Sequence, residues 1–157
     1  MLPLGKISKT CTCLGDRDRY TYFTPDEQRT MLTLWSLFRS PLILGGELRE
    51  NRPEELEVIT NRDILEINQL SSENRQLFRT RRDAAWYCRD KNGNSVVALF
   101  NLTDEEKEVS VDFAVCGIEG GAYNATELWT KEASVTEESG ITAKVKAHGC
   151  AIFRLSK

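Results

Sequence analysis

Few side chains in this sequence are spaced for chemistry, and Glu47 is the foremost of them. It follows the apolar run 41–44 and the pair Gly45 and Gly46, where a buried strand would hand over to a loop. Parallel α/β folds gather their reactive groups at such strand ends, so Glu47 is the one carboxylate placed to face a substrate. Its other reading is a salt bridge that braces the loop. Asn68 and Gln69 end a second short run at 64–69 and suit the bracing of buried backbone groups. Cys11 and Cys13 form a Cys-x-Cys pair without the second ligand pair that a zinc site needs, so no metal and no cofactor is expected. Cys88, Cys116 and Cys150 bring the cysteines to five, an odd count with no repeated spacing, and read as small core residues rather than a disulfide framework. The lone histidine, His148, stands beside Gly149 in a turn with no serine or cysteine partner, which points to a structural role.

The element that must position Glu47 is a helix followed by a strand. Thr24 caps the helix, Pro25 suits its first position, and Glu27 completes a capping box. Phe23 before the cap would staple onto the first turn. Met31, Leu34, Trp35 and Phe38 recur at helical spacing, and Leu32 and Leu37 widen the apolar face. Pro41 disfavours helix at Ser40, and the run 41–44 then reads as a strand buried on both faces. A second helix opening at 51–53 and a second strand at 64–69 complete a helix–strand–helix–strand order, the grammar of a parallel α/β fold.

From residue 74 the texture changes. Runs at 76–81, 84–89, 96–101, 108–113, 123–129, 141–146 and 150–155 are short strands separated by glycine-rich punctuation, and they read as an antiparallel sandwich. Asn92 and Gly93 mark a hairpin turn. The boundary divides an α/β segment at 1–73 from an all-β segment at 74–157. Arg75, Arg79, Arg81, Arg82, Arg89 and Lys91 form a basic cluster, but Glu73, Asp83 and Asp90 interleave with it and make it a solvated or contact surface. Trp86 and Trp129 fill the core or the seam between the segments, although an exposed tryptophan is a natural platform for a glycan.

Hydrophobic residues make up 40% and charged residues 29%, which favours a packed core over disorder. A net charge of -3 gives no reason to expect nucleic acid as partner. No apolar run approaches a membrane helix, so no membrane partner is expected, and the first residues lack the pattern of a signal peptide. That pattern is uninformative if the natural start lies elsewhere, and a secreted or periplasmic full-length form stays open. The sequons at Asn101 and Asn124 matter only in a secretory pathway.

Met1, Leu2 and Gly5, the run Asp-Glu-Gln-Arg at 26–29, Leu34 and Trp35, Ser40 to Leu42, Asn61, and Ile67 to Gln69 together resemble the second half of the barrel in glycoside hydrolase family 27. The runs at 125–130 and 147–155 resemble the closing strands of that family's C-terminal β-domain. The resemblance implies a partial (β/α)8 barrel at 1–73, then an antiparallel β-sandwich at 74–157. It also implies an α-galactosidase-like retaining hydrolase acting on terminal α-linked galactosyl residues. Glu47 would hydrogen-bond a sugar hydroxyl, and Tyr20, Tyr22 and Phe23 would cross the mouth of the site.

Retaining hydrolysis needs two carboxyls about 5 Å apart. In the family the acid/base lies in a run Trp-Asn-Asp-Pro-Asp-Met-Leu, which this sequence joins at Met1 and Leu2, and the nucleophile lies on an earlier strand. The chain by itself is therefore expected to be inactive. It is expected to need a missing N-terminal barrel segment, a dimer partner or its own β-domain to cover residues 1–70. The alternative is a non-catalytic β-sandwich chain that binds glycan or stabilises a partner.

Overall fold

A computed structural model describes residues 1–8 and 19–157. Cys11 and Cys13 lie outside the described residues. Strand β1 (Lys6–Ser8) pairs antiparallel with β2 (Arg19–Tyr20), and helix α1 (Pro25–Leu37) follows. The capping box forms as expected: the Thr24 hydroxyl accepts the Glu27 N–H at 3.2 Å, and the Glu27 carboxylate accepts the Thr24 N–H at 2.8 Å. The staple does not form. The residue facing Phe23 in the first turn is Gln28, whose side-chain amide donates to the Phe23 carbonyl at 3.1 Å, and Phe23 stays partly exposed.

Beyond α1 the chain returns to lie beside its own beginning. Leu2 and Leu44 form a parallel bridge, with Leu2 N–H donating to Ile43 O at 2.7 Å and Gly45 N–H to Leu2 O at 2.9 Å. The pairing stops at that one bridge: residues 41–43 form no strand and Ile43 is exposed, so the strand buried on both faces expected at 41–44 is not seen, although α1 does connect two parallel-paired residues. The next segment departs from expectation. A 3-10 turn at Leu48–Glu50 and helix α2 (Pro53–Ile59) lead into α3 (Arg62–Leu70), so residues 64–69 are helical and not the second strand. Asn61 decides it. Its side-chain oxygen accepts the N–H groups of Asp63 and Ile64 at 3.1 and 3.3 Å, and Ile64 and Ile67, three apart, both bury completely. A cap followed by an amphipathic period overrides the β-branched content of the run.

The remaining strands are β3 (Ser72–Arg79), β4 (Asp83–Arg89), β5 (Ser95–Asn101), β6 (Lys107–Asp112), β7 (Asn124–Glu127), β8 (Ala133–Val135), β9 (Gly140–Val145) and β10 (Cys150–Ser156), with a helical turn α4 (Phe113–Cys116) between β6 and β7. Strands β4, β5, β6, β7, β9 and β10 fall where the sequence places them; β3 starts four residues earlier than the run at 76–81, and β8 has no counterpart in the reading. They form a six-stranded antiparallel sheet ordered β3-β4-β5-β10-β7-β8 and a β6-β9 pair stacked over it. The β4-β5 hairpin turns at Asn92 and Gly93 as expected, with Gly93 at φ +82°, where a side chain would be strained.

Both faces of the large sheet are covered, and residue parity sorts them. Ala84, Trp86, Cys88, Val96, Ala98 and Ile152 pack on the helices in one cluster with Leu2, Leu32, Leu37, Ile64 and Ile67. Ala85, Tyr87, Val97, Leu99 and Leu155 face β6, β9 and α4 in the other. The chain is thus three layers deep, and its own sheet covers the inner side of the helical segment. The outer side stays bare: Met1 and Ile43 alternate with the buried Leu2 and the half-buried Leu44 yet are 81% and 57% exposed.

Because the helices and sheet share one core, unfolding should be a single transition. Ile67→Ala is expected to lower stability by about 2–4 kcal/mol. In urea, tryptophan fluorescence and far-UV circular dichroism should move together; a separate, earlier transition of the helical signal would contradict a shared core.

Candidate functional site

The loops that leave the parallel bridge are joined at their base. Glu47 N–H donates to Lys6 O at 2.7 Å, and Thr21 N–H to Gly5 O at 2.8 Å. Gly46 passes so close that a Cβ there would sit 2.4 Å from Leu4 O, so only glycine fits. Around this base stand Lys6 paired with Glu50, Glu47 paired with Arg49, and the Arg52 guanidinium 3.7 Å above the Tyr20 ring.

Glu47 caps the 3-10 turn. Its Oε1 accepts the Arg49 backbone N–H at 3.1 Å and Arg49 Nε–H at 2.8 Å, while Oε2 accepts Nη2 at 2.9 Å. The hydrogen bonds from Arg49 hold its carboxyl down at about 2. These hydrogen bonds favour the ionised carboxylate. It can accept hydrogen bonds. The Arg49 side chain is 84% exposed, so its hold is screened by water, and a better donor can displace it at small cost.

The other nominated residues take structural places. Asn68 donates from its side chain to Ser40 O at 2.9 Å, and Arg39 reaches the Gln69 carbonyl at 3.1 Å, so both close the end of α3 against the α1 exit. His148 Nε2 lies 2.8 Å from Asp104 Oδ1, and its carbonyl accepts the Thr30 hydroxyl at 2.9 Å. Within the basic cluster Arg75 lies 4.2 Å over the Tyr87 ring and Arg89 pairs with Glu73 at 3.1 Å. Asn101 is sealed: its amide donates to the carbonyls of Glu105, Val145 and Lys146 at 2.7, 3.0 and 2.9 Å, so the folded chain offers no glycan acceptor there. Among the described residues no group of three His, Cys, Asp or Glu side chains converges as a metal site.

Sequence reasoning missed two polar devices. Arg154, a lone cation in the apolar strand β10, lies 2.9 Å from Asp63, 3.3 Å from Glu66 and 2.8 Å from the buried Asp90 carboxylate, joining α3 to the β4-β5 turn. Its contact with Asp90 is electrostatic rather than a directed hydrogen bond. Glu127 accepts the N–H groups of Trp129 at 2.8 Å and Ile152 at 3.1 Å, which clamps the turn carrying Trp129 onto β10. A charged residue inside an otherwise apolar strand was the available signal for the first.

Residues 84–155 match the family described as the α-galactosidase C-terminal β-sandwich domain. A family 27 β-L-arabinopyranosidase of Geobacillus stearothermophilus superposes over 99% of this chain with a TM-score of 0.89 and 38% identity. The chain carries the C-terminal β-sandwich region of glycoside hydrolase family 27. The α-galactosidase D of Emericella nidulans is 27% identical over 85% of the chain, and α-galactosidase 3 of Arabidopsis thaliana is 26% identical over 85%. The α-galactosidase I of Mortierella vinacea shares the fold, with a TM-score of 0.79 at 20% identity over 86% of the chain. The chain spans 21% and 32% of the two curated relatives and 36% of the arabinopyranosidase. The family 27 resemblance read from the sequence therefore holds.

The Arg154 cluster gives a pH signature. Burial opposes the charge on Asp63, but its hydrogen bonds from Lys131 and Arg154 outweigh burial and hold the carboxyl below its ordinary 3.8. Burial likewise opposes ionisation of Asp90, and Asn94, the Asn92 N–H and Arg154 overcome it. Carboxyls depressed in the folded state contribute stability that is complete above their unfolded value and lost as pH falls through the folded value. Arg154→Met is expected to cost about 2–4 kcal/mol at neutral pH. Thermal unfolding followed from neutral to acid pH should show variant and wild type converging below the ordinary aspartate range; parallel curves would contradict the assignment.

Proposed function

We propose that this chain is the C-terminal part of an α-galactosidase-like retaining glycoside hydrolase, with residues 1–73 as the closing portion of a (β/α)8 barrel and 74–157 as its β-sandwich. The parallel bridge between Leu2 and Leu44 across the α1 crossover is the observation that carries the reading. Two adjacent parallel strands with a helix between them are the repeating unit of such a barrel. The bare apolar side at Met1 and Ile43 supports it too, since a barrel strand is covered on both faces. An N-terminal barrel segment is the partner that would cover that side.

In this reading Glu47 stands at the strand's C-terminal end as an acceptor for a substrate hydroxyl, with Arg49 released or shared on binding. The nucleophilic and acid/base aspartates belong to the preceding segment, so the 157 residues alone do not turn over substrate. The substrate class is a terminal α-linked galactoside. The arabinopyranosidase relative acts on a sugar of the same ring configuration that lacks only the hydroxymethyl group, which makes a β-L-arabinopyranoside the natural second substrate to assay.

The purified chain is expected to release no nitrophenol from nitrophenyl α-D-galactoside or β-L-arabinopyranoside, and hydrolysis above background would overturn that expectation. Joined to the N-terminal part of a family 27 barrel, the chain should support retaining hydrolysis. In that assembled enzyme Glu47→Gln should raise KM several-fold with little change in kcat. An unchanged KM would leave Glu47 as a brace of its own loop.

A further inference from the structure

The seam between helices and sheet leaves two adjoining clefts that share a wall. The larger, of about 540 Å³, opens between the first turn of α1, the edge strand β8 and strand β9. The smaller, of about 490 Å³, lies against α2 and the start of α3. Both volumes fall in the range of about 300–1,000 Å³ usual for small-ligand sites. Trp129 and Arg29 line both, and neither cleft shares a lining residue with the loop at 45–50.

Trp129 is fixed before any ligand arrives. Its indole Nε1–H donates to the Thr33 hydroxyl at 3.0 Å, and the Glu127 carboxylate holds its backbone N–H at 2.8 Å. The ring is half-buried and lines both clefts, with the Arg29 guanidinium over it at 6.0 Å from the centroid. Preorganisation of this kind lowers the ordering cost of binding.

The chemistry of the larger cleft narrows the ligand. Asp26, Glu127 and Glu132 balance Arg29, Lys144 and Lys146, so the wall has no net charge. Lys146 sits 3.3 Å and Arg29 3.5 Å from Asp26, and Lys144 is 2.7 Å from Glu106, so the cations are already compensated. An anionic ligand would meet no unpaired positive field. The floor beneath these groups is apolar, built by Phe153, Val145, Ala143 and Ala151. A purely apolar ligand would strip water from the charged rim without replacing its hydrogen bonds. What fits a neutral wall of mixed donors and acceptors over an aromatic floor is a neutral polyhydroxylated molecule, which offers C–H faces to the rings and hydroxyls to the rim.

We propose that the paired clefts at Trp129 form a carbohydrate-binding site for a neutral oligosaccharide, with successive sugar units lying on either side of the indole. The site is built by the β7–β8 turn and the α1 face. The inference stands on the cleft and not on the hydrolase reading.

The test uses the full chain, titrated separately with raffinose, maltotriose and trigalacturonate while the three indole N–H resonances are followed by NMR. Trp129→Phe identifies the Trp129 signal. A saturable millimolar shift of that signal with raffinose or maltotriose, and a weaker or absent one with trigalacturonate, is the expected result. No saturable shift with either neutral sugar, a preference for the charged trimer, or shifts that spare Trp129 would each overturn the proposal. Because Trp129→Ala also removes the bond to Thr33, the second variant is Ala133→Arg, which places a large side chain at the exposed edge of the larger cleft. It should weaken binding about tenfold or more with an unchanged circular dichroism spectrum. Full affinity in Ala133→Arg would place the sugar elsewhere.

Discussion

A sheet buried on both faces is the constraint from which the rest of this structure follows. Strands β4 and β5 carry almost no polar side chain because neither face meets water: one receives α1 and α3, the other β6, β9 and α4. Each strand therefore divides its residues by parity between two cores, and a register slip of one residue would exchange them. The helical segment is held to the sheet by that division. Leu32, Leu37, Ile64 and Ile67 have their partners on β4, β5 and β10, so the α/β portion has no closed core of its own.

Polar contacts then fix what burial leaves free. Arg154 stands on the central strand β10 and joins carboxylates from α3 and from the β4-β5 turn, so the angle of the last helix over the sheet is set electrostatically. Glu127 does the same for the turn at the other end of the seam by collecting backbone N–H groups. Neither device resembles a reactive carboxylate. Both are saturated, one by cations and the other by amides, and that distinguishes them from Glu47, which among the described residues hydrogen-bonds a highly exposed arginine.

Much of the fold was legible because local signals and tertiary demands agree. The cap at Thr24, the proline at 25 and the turn at Asn92 and Gly93 each specify one geometry, and the structure adopts it. The apolar runs of β4 and β5 announced a sheet. The strand expected at 64–69 gives way to a helix because Asn61, which also belongs to the family likeness, caps one there. Strand β8 was invisible because all three of its residues are exposed and no periodicity marks it. The site was less legible. Glu47 follows an apolar run and a glycine pair that sequence can single out, whereas the convergence of Arg29, Trp129 and Lys146 depends on packing between segments a hundred or more residues apart.

The sealed amide of Asn101 has a consequence for manufacture. Its nitrogen is spent on three carbonyls within the fold, while the triplet it begins is an acceptor for enzymes that act on nascent chains. In a host that glycosylates during translocation, modification and folding would compete for the same nitrogen, and every molecule modified first would be barred from the native state. Yield from such a host would then be governed by the order of two events and not by thermodynamic stability, a penalty that a bacterial cytosol does not impose.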